Sequence, residues 1–125
     1  NENSYMIGCL SALMANRRGR KVISAVGGSK LPTVDIFIAG YRAGARRCGP
    51  GTQVLIGYSQ DFVAQDKCKE IALNQIAQGS QVIFQVAGGC GLGALDAAKV
   101  GFEKRISRRS PTCAAPPPAP CAAGR

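Results

Sequence analysis

QVIFQVAGGCGLG, residues 81–93, is the stretch of sequence that decides the fold. It begins with mostly apolar residues, stops at the pair Gly88–Gly89 and continues into a segment with helical spacing. This order predicts a buried strand that passes through a glycine turn into the first turn of a helix. Such a turn presents backbone N–H groups and the positive end of a helix dipole at the edge of a parallel sheet, where open α/β sheets bind ligands.

Helical and strand-like segments alternate along the rest of the chain. Hydrophobic spacing and turn residues predict helices over Ser4–Arg17, from Pro32, over Val63–Gln78 and from Leu92. They predict strands over Lys21–Val26, Gln53–Tyr58 and Gln81–Val86. The order α-β-α-β-α-β-α predicts an α/β fold with three layers, in which a doubly wound parallel sheet has helices on both faces.

Large apolar side chains at helical spacing are predicted to face the core. In the first helix these are Tyr5, Met6, Cys9, Leu10, Leu13 and Met14. In the second they are Val34, Phe37, Ile38, Tyr41 and Ala45, and in the third Cys68, Ile71, Ala72 and Ile76. Asn3 or Ser4 is the expected N-cap of the first helix, and Gly19 its stop. Gly40 and Gly44 predict a close approach of the second helix to the sheet.

Composition points away from catalysis and from metal binding. The chain of 125 residues has room for one domain and contains no histidine, the commonest general base and metal ligand. Its six cysteines form no C-x-x-C pair, which disfavours a zinc or thioredoxin-like site. We expect free, buried cysteines rather than a disulfide framework, because the chain is long and apolar enough to build a core. No enzyme activity, cofactor or metal is expected.

The net charge of +9 is unevenly distributed, and we interpret it as a solvated surface rather than a nucleic-acid interface. No apolar run is long enough for a transmembrane helix, and the polar N-terminus carries no signal peptide. After residue 100 the sequence becomes rich in alanine, proline and arginine and loses its periodicity. The expected organisation is a folded region over residues 1–100 and a basic, disordered tail over residues 101–125.

Three ordered motifs resemble the basic-membrane-protein, or PnrA-like, family of substrate-binding lipoproteins. They are Gly27–Gly28 followed by PTVDIFIAGYRAGA, the segment YSQDF with the following AQDKCKEIALNQIAQG, and VIFQVAGGCGLGALDAAK. The resemblance covers residues 1–99 and implies most of the second lobe of a type I periplasmic binding protein. The family's next strand has no counterpart in residues 100–125, and a frameshift is one hypothesis for that tail.

The resemblance also implies a function. Family members clamp a ligand, chiefly a purine nucleoside, between two lobes and deliver it to the permease and ATPase subunits of an ABC importer. They act in the periplasm or at the extracellular face of the membrane, where they are held by a lipid anchor whose signal this chain lacks. No other membrane contact and no nucleic-acid partner are implied.

Six residues are candidates for ligand contact. By resemblance, Phe62 stacks on the base, although its position also suits a hydrophobic staple. Ser59 and Asp61 are expected either to bond ribose hydroxyls or to cap the following helix. Gly88 and Gly89 are expected to offer backbone amides or to form a plain turn. Phe37 is expected either to close a wall of the cleft or to pack in the core.

Two other functions are weighed against the importer hypothesis. The effector-binding lobe of a transcription regulator has the same fold but needs a helix-turn-helix, which this sequence lacks. An NAD-dependent enzyme domain is disfavoured because GGCGLG does not match G-x-G-x-x-G. We also expect these 125 residues alone to bind ligand weakly or not at all, since half a cleft lacks its opposing wall.

Overall fold

The computed structural model describes residues 2–113. Its four helices are α1 (Glu2–Arg17), α2 (Pro32–Cys48), α3 (Gln65–Ala77) and α4 (Gly91–Cys113). Its three strands are β1 (Val22–Gly27), β2 (Gln53–Tyr58) and β3 (Ile83–Val86), and a 3₁₀ turn over Gly88–Cys90 joins β3 to α4. The predicted order of elements is confirmed, and the bounds of β2 agree with the sequence.

The three strands form a parallel sheet in the order β2-β1-β3. The register pairs Gly27 at the end of β1 with Tyr58 of β2 and with Val86 of β3. All three carboxyl ends therefore align in one row. Because the chain leaves β1 towards β2 on one side while β3 lies on the other, this row includes the point where the winding of the sheet reverses.

The helices cover both faces of the sheet, which confirms the doubly wound architecture. On one face, Ile23 and Ala25 of β1 pack with the buried residues of α1 and α2. On the other face, Val26 packs with the buried residues of α3 and α4. Successive residues of β1 point to opposite faces and almost all are buried, as expected for the central strand of a three-layer fold.

The prediction of which α1 residues face the core is wrong. The buried residues are small ones, Ser4, Gly8, Ser11, Ala12 and Ala15, whereas the large apolar residues of the helix are exposed. The cause is the neighbouring helix. A Cβ on Gly8 would collide with the backbone carbonyl of Tyr41, and one on Gly44 would collide with the carbonyl of Tyr5. Gly44 thus brings α2 close to α1, not to the sheet as predicted.

The expectation of free cysteines is also wrong. Cys9 of α1 is disulfide-bonded to Cys48 at the end of α2, and Cys68 of α3 is bonded to Cys90 just before α4. The fold explains both bonds, because α1 packs on α2 and α3 packs on α4. The first disulfide therefore joins the two helices on one face of the sheet, and the second joins α3 to the 3₁₀ turn that leads into α4 on the other face.

The ends of two helices differ from the prediction. α1 already includes Asn3 and Ser4, so neither is its N-cap, while Gly19 adopts a positive φ of 81° just beyond the helix, as its role as a stop requires. α4 extends to Cys113, beyond the predicted start of the disordered tail. Glycine 101 is the only glycine or proline between Lys99 and Pro111, so little in that sequence breaks a helix. Residues 114–125 of the predicted tail lie outside the described residues.

Candidate functional site

At the carboxyl ends of the three strands, two aromatic rings pack directly against two glycines. A Cβ on Gly27 would lie 2.9 Å from the Tyr58 ring, and a Cβ on Gly28 would overlap the ring of Phe62. Any side chain at these two positions would displace the ring above it. The Gly27–Gly28 pair is thus a floor that lets both rings approach the backbone closely.

Phe62 is fixed at this edge by its backbone, while its ring stays 38% exposed. The Cys90 N–H donates to the Phe62 carbonyl oxygen at 2.9 Å, which ties the loop after β2 to the 3₁₀ turn after β3. The exposed glycines of that turn are close, since a Cβ on Gly88 would lie 3.7 Å from the Phe62 ring. The structure therefore brings three of the predicted site residues together: Phe62, Gly88 and Gly89.

The two polar candidates make their shortest bonds within their own loop, and the Ser59 hydroxyl also lies 3.4 Å from the Gly27 carbonyl oxygen at the end of β1. The buried Ser59 hydroxyl donates to the Asp61 carbonyl oxygen at 2.7 Å. Asp61 Oδ1 accepts N–H bonds from Val63 at 2.7 Å and Ala64 at 3.0 Å. These bonds, first the one from Ala64, lower the pKa of the Asp61 carboxyl, with a smaller contribution from Lys67. These bonds close a turn within the loop, and neither residue is the N-cap of α3, which is Ala64 and has no side-chain capping bond. Contact of Ser59 or Asp61 with a ligand stays a prediction.

Phe37 is not a core residue. Its side chain is 40% exposed on α2, while Val34, Ile38 and Tyr41 of the same helix are buried. The predicted apolar stripe of α2 is therefore correct except at this position. The role of Phe37 in a cleft wall stays a prediction.

Several residues at this edge were not predicted as site residues. Gln60 has a positive φ of 59°, which is uncommon for a residue with a side chain, and its N–H donates to the Gly28 carbonyl oxygen at 2.8 Å. Tyr58 donates its hydroxyl to Asp35 Oδ1 at 2.6 Å and so links the end of β2 to the first turn of α2. The repeated pattern of a strand followed by Gly-Gly, at residues 27–28 and 88–89, was the available signal for Gly28.

The Tyr58–Asp35 bond predicts a late ionisation. Loss of hydration and the hydrogen bond to Asp35 raise the pKa of Tyr58 from 10.0 to about 12. The neutral phenol is favoured in the folded chain, so its contribution to stability is complete below pH 10 and is lost as the pH rises towards 12. In an alkaline titration followed by phenolate absorbance, Tyr58→Phe should lack the absorbance change of one tyrosine near pH 12. Asp35→Asn should move that step to lower pH, and an unmoved step would contradict the assignment.

The described residues hold no group of three or more His, Cys, Asp or Glu side chains able to bind a metal ion. Within the same part of the chain, no helix is both long enough and apolar enough to cross a bilayer. What the edge does offer is an exposed aromatic residue beside two exposed glycines.

Comparison with known proteins identifies the family. Residues 1–105 match the family described as ABC transporter substrate-binding protein PnrA-like. This chain belongs to that family. It is 35% identical over 108 residues to the CD4+ T-cell-stimulating antigen of Listeria monocytogenes, covering 86% of this chain and 29% of that protein. It is 33% identical over 99 residues to the ABC transporter nucleoside-binding protein BmpA of Lactococcus lactis, covering 79% of this chain and 27% of that protein.

Solved structures agree with the fold. A solute-binding protein of an ABC transporter system from Aeropyrum pernix superposes with a TM-score of 0.75 at 23% identity, covering 82% of this chain and 30% of that one. A second one, from Conexibacter woesei, gives a TM-score of 0.65 at 29% identity and covers 78% of this chain and 32% of the other. The PnrA-like chain therefore spans less than a third of the length of these relatives.

Proposed function

We propose that this PnrA-like chain forms part of a ligand-binding lobe and that the ligand is a purine nucleoside. The observation that supports this most directly is the Phe62 ring, which lies on Gly28 with 38% of its surface exposed. An aromatic ring held in this way suits a flat heteroaromatic base, and stacking of this kind contributes roughly 1–3 kcal/mol per base.

The surroundings of Phe62 add polar recognition through the protein backbone. Gly88 and Gly89 are exposed and lie at the N-terminal end of the 3₁₀ turn and α4, where a helix dipole favours electron-rich ligand atoms. The site also lies where the sheet reverses its winding, which is the usual place for ligands in such folds. The name of the Lactococcus lactis relative, a nucleoside-binding protein, points to the same class of ligand.

The proposal extends to partners and location. The lobe would work as part of an importer's substrate-binding protein, which closes on its ligand and presents it to the permease and ATPase subunits. Two disulfides within residues 9–90 support a position outside the cytoplasm, since such bonds persist in oxidising compartments. The proposal involves no catalysis.

Chemical-shift mapping tests this proposal on the full 125-residue chain, because it detects weak binding. We expect millimolar guanosine or inosine to shift the amide signals of Gly28, Phe62, Gly88 and Gly89, and ribose alone to leave them unchanged. Phe62→Leu keeps an apolar side chain but loses the ring, so binding should weaken by about tenfold or more. Phe62→Tyr keeps the ring and should bind normally.

Val63→Ala is the control, because Val63 is 79% exposed and directly follows Phe62. It should bind as the native chain does. Equal shifts with ribose and guanosine, or unchanged binding by Phe62→Leu, would exclude base stacking on Phe62.

A further inference from the structure

The loop over residues 59–64, which carries Phe62, makes three contacts with the last residue of the 3₁₀ turn, Cys90. The Cys90 N–H donates to the Phe62 carbonyl oxygen at 2.9 Å. The Cys90 sulfur lies 3.4 Å from the Ser59 hydroxyl oxygen and 2.9 Å from the Ala64 carbonyl oxygen. Cys90 itself is completely buried. The loop therefore takes its position from one residue of the turn after β3.

The disulfide joins the same residue to the helix that follows the loop. Its other half, Cys68, is also completely buried and lies in the first turn of α3. Residues 62–68, the disulfide and the bond from the Cys90 N–H to Phe62 thus form a small closed ring. A segment whose two ends are held together in this way has lost much of its conformational freedom before any ligand arrives.

The loop has little packing of its own to keep Phe62 in place. Phe62 is 38% exposed and Val63 79%. Gln60 has a positive φ of 59°, a conformation that a side chain disfavours. Exposed segments with few buried contacts open locally at a small cost in free energy. The ring closed by the disulfide is therefore the feature that resists opening of the loop around Phe62.

We propose that the Cys68–Cys90 disulfide positions Phe62 for the ligand. The inference rests on the proposed function, because it assigns a role at the same site. Cys90 also ends the turn that carries Gly88 and Gly89, so the bond fixes the aromatic ring and the backbone of this turn relative to each other. Both cysteines are buried, so they act as positioning residues and do not touch the ligand. A site arranged before binding loses less entropy when the ligand binds.

The Cys9–Cys48 disulfide provides a matched control, because it is the same kind of bond at the other edge of the sheet. α2 begins after the carboxyl end of β1 and returns to the amino end of β2, where Cys48 ends the helix. This bond has the larger sequence separation, 39 residues against 22, so its removal should destabilise the fold more. The control variant is Cys9→Ala/Cys48→Ala. Ligand binding that depended on stability alone would suffer more in this variant.

Chemical-shift mapping of the full chain with guanosine compares the two disulfide variants. In Cys68→Ala/Cys90→Ala, binding should weaken by about tenfold, as in Phe62→Leu, and the ring-current shift of the Gly28 signals should largely disappear. The control variant should keep both. Adding Phe62→Leu to Cys68→Ala/Cys90→Ala should cost little further affinity, because both changes remove one interaction. Native affinity in Cys68→Ala/Cys90→Ala, or an equal loss in the control variant, would overturn the proposal.

A measurement on the native chain covers the case in which a variant does not fold. A buried disulfide is reduced only after local opening, so a ligand that requires the closed loop should slow the reduction of Cys68–Cys90 by a small dithiol. The expected factor is 1 + [L]/Kd, where [L] is the guanosine concentration. Cys9–Cys48, whose cysteines are partly exposed, should be reduced at an unchanged rate. Mass spectrometry of the trapped thiols follows each bond separately, and equal slowing of both bonds, or of neither, would contradict the positioning role.

The ring-current shift separates a failure of this proposal from a failure of the proposed function. If guanosine shifts no amide signal of the native chain, the proposed function fails, while the Gly28 signals still report the position of the Phe62 ring without any ligand. Their movement in Cys68→Ala/Cys90→Ala but not in the control variant would support the positioning role. Unmoved Gly28 signals in a folded Cys68→Ala/Cys90→Ala chain would overturn it.

Discussion

We expect the Cys9→Ala/Cys48→Ala variant to lose about 4 kcal/mol of unfolding free energy relative to the native chain. The disulfide closes a segment with a sequence separation of 39 residues, so its removal greatly enlarges the set of unfolded conformations. The Cys68–Cys90 bond spans 22 residues, and its removal should cost about 3 kcal/mol. A domain of this size has only about 5–15 kcal/mol of stability in total.

Urea unfolding with and without a reducing agent measures both losses. The native chain under reducing conditions should resemble a variant that lacks both bonds, with little or no folded baseline. In Cys9→Ala/Cys48→Ala, reduction should cause only the second, smaller loss, which makes each double variant the control for the other. If reduction left the unfolding midpoint of the native chain unchanged, the two bonds would not stabilise the fold.

The two disulfides show what sequence patterns could not supply. Cys9 and Cys68 fall at helical positions that also suit small buried side chains, and their partners are far away in the sequence. Only the pairing of α1 with α2 and of α3 with α4 brings each pair together. The order of helices and strands along the chain and the bounds of β2 were predictable, because apolar runs bounded by turn residues are local signals.

Which face of α1 is buried was unpredictable for a related reason. Helical periodicity gives two opposite faces, and large apolar residues normally mark the buried one. Here the buried face is the one that carries Gly8, because neighbouring backbones approach too closely for anything larger. The sequence signal for this close approach lay in the small residues of α1 and in Gly44 of α2. It can be recognised only when the two helices are considered together.

The candidate site was predictable where it depends on strand ends. Phe62, Gly88 and Gly89 meet because β2 and β3 end at the same edge of the sheet. The roles of Ser59 and Asp61 were left open, since hydroxyl and carboxylate groups cap helices as readily as they bind ribose. Their short bonds within the loop are details of backbone geometry that residue types alone do not determine.

The second large effect concerns the contact between α1 and α2. Glycine in a helix interior is about 1 kcal/mol less favourable than alanine, so Gly44→Ala would stabilise an isolated helix. In this fold the new Cβ would overlap the Tyr5 carbonyl group and lie 3.0 Å from the Cys9 amide nitrogen. A backbone cannot move aside as a side chain does, so α1 and α2 must separate. We expect a loss of about 3 kcal/mol or more.

Urea and thermal unfolding of Gly44→Ala and Gly40→Ala show whether the gain in helix propensity or the steric clash between α1 and α2 determines stability. Gly40 lies one helical turn earlier on α2 and lines an open depression beside Tyr5, so alanine there should follow helix propensity and stabilise slightly. Opposite signs for the two variants would show that the spacing of α1 and α2, rather than the intrinsic preference of the helix, requires glycine at position 44. A Gly44→Ala chain that melts above the native one would mean that the two helices do not approach as described. In that case the reason for the exposure of Met6, Leu10 and Leu13 would also disappear, since it is this approach that turns the small residues of α1 inward.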